Sequence, residues 1–153
     1  MNLRTLIVWS SLLLAVIVNG VGVAPLHAQT TAGVRAGVSA DPDQFYVGAQ
    51  IEPPPLTDRI HFRPNVEVGV GHDITLVGVN FELAYVFPSR SDWALYTGGG
   101  PALNITRGAN GTDAGGGLNI LFGGMHESGL FLEVKVGAID SPDLKLGVGY
   151  VFK

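Results

Sequence analysis

Leu144-Lys145-Leu146-Gly147-Val148-Gly149-Tyr150-Val151-Phe152 alternates almost without exception. Leu144, Leu146, Val148, Tyr150 and Phe152 are large and apolar; Lys145, Gly147 and Gly149 are charged or small, and Val151 is the one apolar member of that set. Successive side chains of a strand point to opposite faces, so this stretch has one greasy face and one that is mostly small or polar. The pattern recurs about eight times after Thr31 and predicts strands over Thr31–Ser39, Gln44–Glu52, His61–Gly71, Ile74–Phe87, Trp93–Thr106, Thr112–Gly124, Leu130–Gly137 and Asp143–Phe152. Between them lie clusters of turn residues such as Asp41-Pro42-Asp43, Pro53-Pro54-Pro55, His72-Asp73, Gly108-Ala109-Asn110-Gly111 and Asp140-Ser141-Pro142. All eight aspartates fall in or beside these links, whereas four of the five glutamates fall inside strands. Short links between successive strands favour an all-β, eight-stranded antiparallel up-and-down barrel. Pro64 removes a ladder donor, so a bulge there, or a strand that starts near Asn65, is expected.

The chain has 153 residues, and its first part reads as a leader. A basic start at Arg4 precedes the apolar run Leu6–Val23, and Pro25-Leu26-His27-Ala28 forms a small-residue exit. This predicts a cleaved signal peptide over residues 1–28 and one domain over residues 29–153. The chain contains no cysteine, which excludes disulfides and a lipidated cysteine anchor. Without Arg4, eight basic residues face thirteen acidic ones, and the net charge of −5 argues against a nucleic-acid partner. Twenty of the 22 glycines lie after residue 28, although glycine weakens a strand.

Alternation alone does not say which face is inside. A soluble carrier barrel would turn the apolar face inward, and a membrane barrel would turn it outward. Two observations choose the membrane arrangement. The less greasy face carries Gly33, Arg35, Gly37, Tyr46, Gly48, Gln50, Glu52, Arg63, Asn65, Glu67, Gly69, Gly78, Asn80 and Glu82 in the first four strands. Tyr96, Gly98, Gly100, Asn104, Gly115, Gly117, Asn119, Glu133, Lys135, Gly137, Lys145, Gly147 and Gly149 continue it. Its charges balance, with Arg35, Arg63, Lys135 and Lys145 against Glu52, Glu67, Glu82 and Glu133. A narrow barrel filled by side chains needs small residues to relieve crowding and paired charges to make burial tolerable. The second observation is the aromatics. Threading the strands up and down collects Phe62, Tyr85, Phe87, Trp93, Tyr96, Phe122, Phe131, Tyr150 and Phe152 near one rim, with Phe45 and Tyr46 near the other. Phe81 alone is mid-strand, and Phe131 and Tyr96 are equally placed to point inward, which leaves the girdle imperfect. Amphipathic aromatics gather at membrane interfaces.

Tyr96-Thr97-Gly98-Gly99-Gly100-Pro101-Ala102-Leu103-Asn104, Phe131–Gly137 and the closing Gly147–Phe152 stretch resemble the small outer-membrane β-barrel domains of Gram-negative bacteria. This is the group that includes OmpX, the OmpA transmembrane domain and opacity-type proteins. The resemblance covers essentially residues 29–153. It implies an outer-membrane location and both termini in the periplasm. It also implies a terminal aromatic read by the outer-membrane insertion machinery, here Phe152 followed by Lys153. Barrels of this group often carry long outward loops; here the outward links Ser39–Asp43, Gly71–Asp73, Arg107–Asp113 and Asp140–Pro142 are short.

Chemistry-bearing constellations are few. His126-Glu127-Ser128 places a base and a hydroxyl two residues apart and resembles the His-x-Ser element of lipid A deacylases. Gly129 stands where that family has Asn, and Glu133, the available third member, belongs to the lumenal face. His61, Arg63 and Glu67 share a face without a second histidine for a metal. The expected role is a non-enzymatic, cofactor-free, monomeric integral outer-membrane protein with a filled polar lumen, structural or engaged in surface interaction. A narrow passive pore, a lipid A deacylase-like enzyme and a soluble lipocalin-like carrier follow in that order. The lumenal charges Arg35, Glu52, Arg63, Glu67, Glu82, Glu133, Lys135 and Lys145 are the candidate functional residues.

Overall fold

The computed structural model describes residues 29–153; the predicted leader over residues 1–28 lies outside the described residues. Eight antiparallel strands close into one barrel in sequence order: β1 (Thr31–Ala40), β2 (Gln44–Glu52), β3 (Ile60–Gly71), β4 (Ile74–Val86), β5 (Trp93–Gly108), β6 (Gly111–His126), β7 (Leu130–Ala138) and β8 (Leu144–Phe152). The ring is closed by β1 pairing with β8, from Ala32 opposite Phe152 to Ala40 opposite Leu144. One end, the terminal end, holds Thr31, Phe152 and the links that join β2–β3, β4–β5 and β6–β7. The other, the hairpin end, holds the four links that join β1–β2, β3–β4, β5–β6 and β7–β8, two to five residues each.

The expected strands are all present, with longer β5 and β6. Their ladder continues to the Gly108–Gly111 pair, which leaves Ala109 and Asn110 as a two-residue turn where a longer outward link was expected. Gly111 takes φ +123°, a conformation that suits glycine at such a turn.

Pro64 corrects an expectation. β3 begins at Ile60 and runs through Pro64 without a bulge. Its ladder to β2 ends at the Gln50–Asn65 pair, just before Pro64, so the missing N–H falls where pairing has already ceased. A second strand proline, Pro101, sits where the β4–β5 ladder is interrupted between the Asn80–Ala102 and Leu83–Gly99 pairs.

The greasy face points outward. Val34, Val38, Val66, Val70, Leu103, Ile120, Leu132, Val136 and Leu146 are each about half exposed around the wall. The charged set points inward and is buried: Arg35, Arg63, Glu67, Glu82, Glu133, Lys135 and Lys145. A barrel with an apolar belt outside and its charges sealed inside is built for a bilayer, because closure pairs every strand and leaves no edge within the hydrocarbon.

Tyr85, Phe87, Trp93, Phe122, Tyr150 and Phe152 form an outward girdle near the terminal end. Tyr85 with Phe87 and Tyr150 with Phe152 make edge-to-face pairs at 5.3 and 5.5 Å. Tyr46, Tyr96 and Phe131 do not join the girdles: all three are buried in the lumen. There they account for part of the glycine content. Tyr46 lies against Gly37 and Gly147, Tyr96 against Gly123, and Phe131 against Gly149, so inward rings occupy space that side chains on adjoining strands would need.

Candidate functional site

Every strand except β5 and β6 supplies a charged residue to the lumen, and the structure brings all eight candidate residues into one connected network. Glu67 of β3 is its hub. One oxygen lies 2.9 Å from both Arg35 Nη1 and Lys135 Nζ, and the other lies 2.7 Å from Lys145 Nζ. Lys135 and Lys145 sit directly opposite each other on β7 and β8, a like-charge pairing that is unfavourable in a sheet. Glu67 reaches across the bore and joins them.

Glu133 is the second node. Arg35 Nη2 and Arg63 Nη1 each approach it at 3.3 Å, and the Tyr96 hydroxyl donates to it at 2.8 Å. Glu82 lies 2.6 Å from Lys135 Nζ and accepts from Asn65 at 2.9 Å. Arg63 Nε donates to Glu52 at 2.9 Å, and Gln50 links Glu52 back to Arg35. Two guanidiniums approach the Phe131 ring, Arg35 at 5.3 Å and Arg63 at 5.2 Å, while Tyr96 takes the Arg63 cation at 4.7 Å. A neutral relay extends the network sideways: Asn119 donates to Asn80, Asn80 to Asn65, and Asn65 to Glu82, each at 2.8–2.9 Å.

Charges this deep are tolerable only when paired and hydrogen-bonded. The arrangement meets most of that need by sharing: each of Glu67 and Glu133 serves several cations, and Arg35 Nη2 and Glu82 Oε1 have ion-pair partners, whereas Arg63 Nη2 is left without a hydrogen-bond partner. Tyr96, Gln50, Asn65, Asn80 and Asn119 were not among the candidates, yet they complete the set. Their signal in the sequence was the same alternate-position pattern that marked the charges.

The network separates two cavities. One of about 350 Å³ opens at the terminal end, with Glu52, Arg63 and Tyr96 at its inner side and Phe87, Met125 and His126 around it. One of about 400 Å³ lies at the hairpin end, lined by Leu76, Asn104, Asp113, Asp140 and Ser141. No residue lines both. At the hairpin end Asn104 donates to the Asp140 carbonyl and to Ser141 Oγ at 3.1 Å, which holds the β7–β8 link over the mouth.

His126 Nδ1 and Ser128 Oγ are 2.8 Å apart in an exposed turn, where the Ser128 amide also donates to the same ring nitrogen. Trp93 packs edge-on against the His126 ring at 5.2 Å. Glu133 is not with them: it is bound to Arg35, Arg63 and Tyr96 in the lumen. The structure assembles a base and a hydroxyl but brings no carboxylate from that strand to orient the base. His61 is half-buried at the terminal cavity, and among the described residues no cluster of three metal-ligating side chains occurs.

No protein-family model matches the chain, and no curated protein matches it in sequence. Solved structures do match in shape. The N-terminal β-barrel domain of Pseudomonas aeruginosa OprF superposes with a TM-score of 0.61 at 17% identity, over 82% of this chain and 100% of that one. Neisserial surface protein A gives a TM-score of 0.61 at 14% identity, over 84% of this chain and 99% of that one. At such identities the likeness is one of fold. Together with the apolar belt and the buried charges it establishes the architecture: the chain is an eight-stranded antiparallel β-barrel of the small outer-membrane type, built to span a bilayer.

Proposed function

We propose that the protein is a sealed, non-enzymatic barrel of the bacterial outer membrane, acting in envelope structure or surface interaction. In this reading residues 1–28 are removed on export, the terminal end faces the periplasm and the hairpin end faces outward. The barrel is a monomer, and Phe152 near the C-terminus is its handle for the insertion machinery. The observation that carries the reading is the shared charge network across the bore, with a separate cavity on either side. A lumen filled by side chains leaves little room for a water path.

The test is conductance. Protein from Gln29 onward, refolded and added to planar bilayers, is expected to leave them silent at high load. Lys135→Met, which removes a cation lying between three carboxylates, is expected to stay silent or become leaky by destabilising the barrel. Steady, ion-selective steps from the unaltered protein, with selectivity changed by Glu82→Gln, would mean a narrow pore instead. The enzymatic alternative makes its own prediction. Ser128→Ala is expected to leave both the folded barrel and the lipid A acyl chains of the host membrane unchanged. Release of fatty acid that depends on Ser128 would contradict the non-enzymatic reading.

A further inference from the structure

β6 outruns its neighbour. Its ladder to β5 extends up to Gly111, whereas its ladder to β7 stops at the Leu118–Ala138 pair. The segment Gly111-Thr112-Asp113-Ala114-Gly115-Gly116-Gly117 is therefore strand on one side only. Among the described residues no turn or loop backbone bonds to it. The two-residue turn closed by Gly108 and Gly111 sets the parity: Asp113, Gly115 and Gly117 bond toward β5, and Thr112, Ala114 and Gly116 direct their N–H and C=O to the free side. The Gly137 amide, which donates to the Asp143 carbonyl on the β8 side, gives the same parity counted from β7, because it turns Ala138 toward Leu118 of β6.

An open strand edge is not tolerated in hydrocarbon, so this segment stands beyond it. Its outward side chains agree: Thr112, Ala114 and Gly116 have no apolar bulk, which on β6 begins at Leu118. Sheets blunt such edges with proline, lysine, a bulge or an inward-pointing charge; this one has no proline, lysine or bulge, and its one charge is Asp113. A side chain added at Gly116 would meet nothing within 4 Å, so the outer face of the segment is open, while Asp140 and Ser141 of the β7–β8 link lie against Gly115 and Gly117 on its inner face.

The charge distribution says what kind of backbone. The lumen holds four cations and four anions. The terminal end holds Arg59, Arg90 and Lys153 against Asp58, Asp92 and Glu127. The hairpin end holds Arg107 against Asp41, Asp43, Asp73, Asp113, Asp140 and Asp143, so the whole net charge of −5 sits beside the open edge. A second copy would bring two such ends together and is repelled.

We propose that the free edge of β6, Thr112–Gly116, docks an extended basic polypeptide segment by strand addition. Main-chain ladder bonds would supply the grip and the aspartate rim the charge preference. This deepens the surface-interaction reading and rests on its placement of the hairpin end outside the membrane.

The test uses the chain from Gln29, refolded in detergent micelles, with a short alternating lysine–valine peptide as probe. The peptide is expected to bind, more weakly in high salt. The same peptide with alternate backbone amides N-methylated is expected not to bind. The double variant Ala114→Pro, Gly116→Pro removes two free-side donors while the β5 ladder keeps its bonds, and is expected to weaken binding about tenfold or more. Should that variant not fold, the N-methylated peptide still decides. The proposal is overturned if a correctly folded barrel ignores the peptide, binds the N-methylated form equally, or pairs with itself through this edge. Failure of the barrel reading is a separate result, seen as the lack of a heat-dependent gel shift before any peptide is added.

Discussion

Glu67→Gln is expected to lower the unfolding free energy of the barrel by about 3–5 kcal/mol, the range for stripping one partner from a buried ion pair. Glu67 is contacted by Arg35, Lys135 and Lys145, and Lys135 and Lys145 face each other across the β7–β8 ladder. Without the carboxylate, two buried ammonium groups stay opposed, with Lys145 deprived of the one carboxylate found beside it. Glutamine preserves the shape and one acceptor, so the loss is one of charge. Urea titration in micelles, followed by the gel shift between folded and unfolded forms, measures it. Exchange of both residues, Glu67→Gln with Lys145→Met, is expected to recover part of the loss, because the uncompensated charge leaves with its partner. A Glu67→Gln barrel as stable as the parent would mean that the network contributes little to holding the wall.

Gly123→Val is expected to abolish the folded species altogether. A side chain at that position would fall on the Tyr96 ring and on the Leu132 carbonyl oxygen, and the backbone oxygen has nowhere to move in a closed ladder. Tyr96 is itself held by the Arg63 guanidinium and by Glu133, so the ring does not swing away freely. Gly116→Ala is the matched control on the same strand. Space around Gly116 is open, and alanine there is expected to leave the gel shift unchanged. Equal behaviour of the two variants would remove the packing explanation for the glycines.

The architecture was legible because one period governs the whole chain. From Gly33 to Val151, alternate residues that are small or polar in sequence line the bore, and the turn clusters mark where direction reverses. The membership of the charge network was legible for the same reason. The pairing was not. Arg63 lies directly opposite Glu82 across the β3–β4 ladder, and a sequence reader would join them, yet Arg63 binds Glu52 and Glu133 while Glu82 takes Lys135. In so narrow a bore the opposite wall is as near as the neighbouring strand, and strand order does not encode those chords. The inward turn of Tyr46, Tyr96 and Phe131 was legible too, since each alternates with the lumenal charges and glycines of its own strand, although an aromatic near a strand end suits an interface girdle as well as a lumen. The free edge of β6 depends on the stagger between β6 and β7, a register that no local pattern specifies.

The central claim is that the greasy face meets lipid, and the protein carries its own probe for it. Of the two tryptophans, Trp9 belongs to the predicted leader and Trp93 lies in the outward girdle, 38% exposed. Protein from Gln29 onward, refolded into vesicles whose lipids bear bromine on the acyl chains, is expected to lose most of its tryptophan fluorescence. Quenching should be strongest with bromine near the headgroup end of the chain, as befits an interfacial ring. Fluorescence untouched by brominated lipid, from a chain that stays in the aqueous phase, would mean that the two faces of the barrel are reversed.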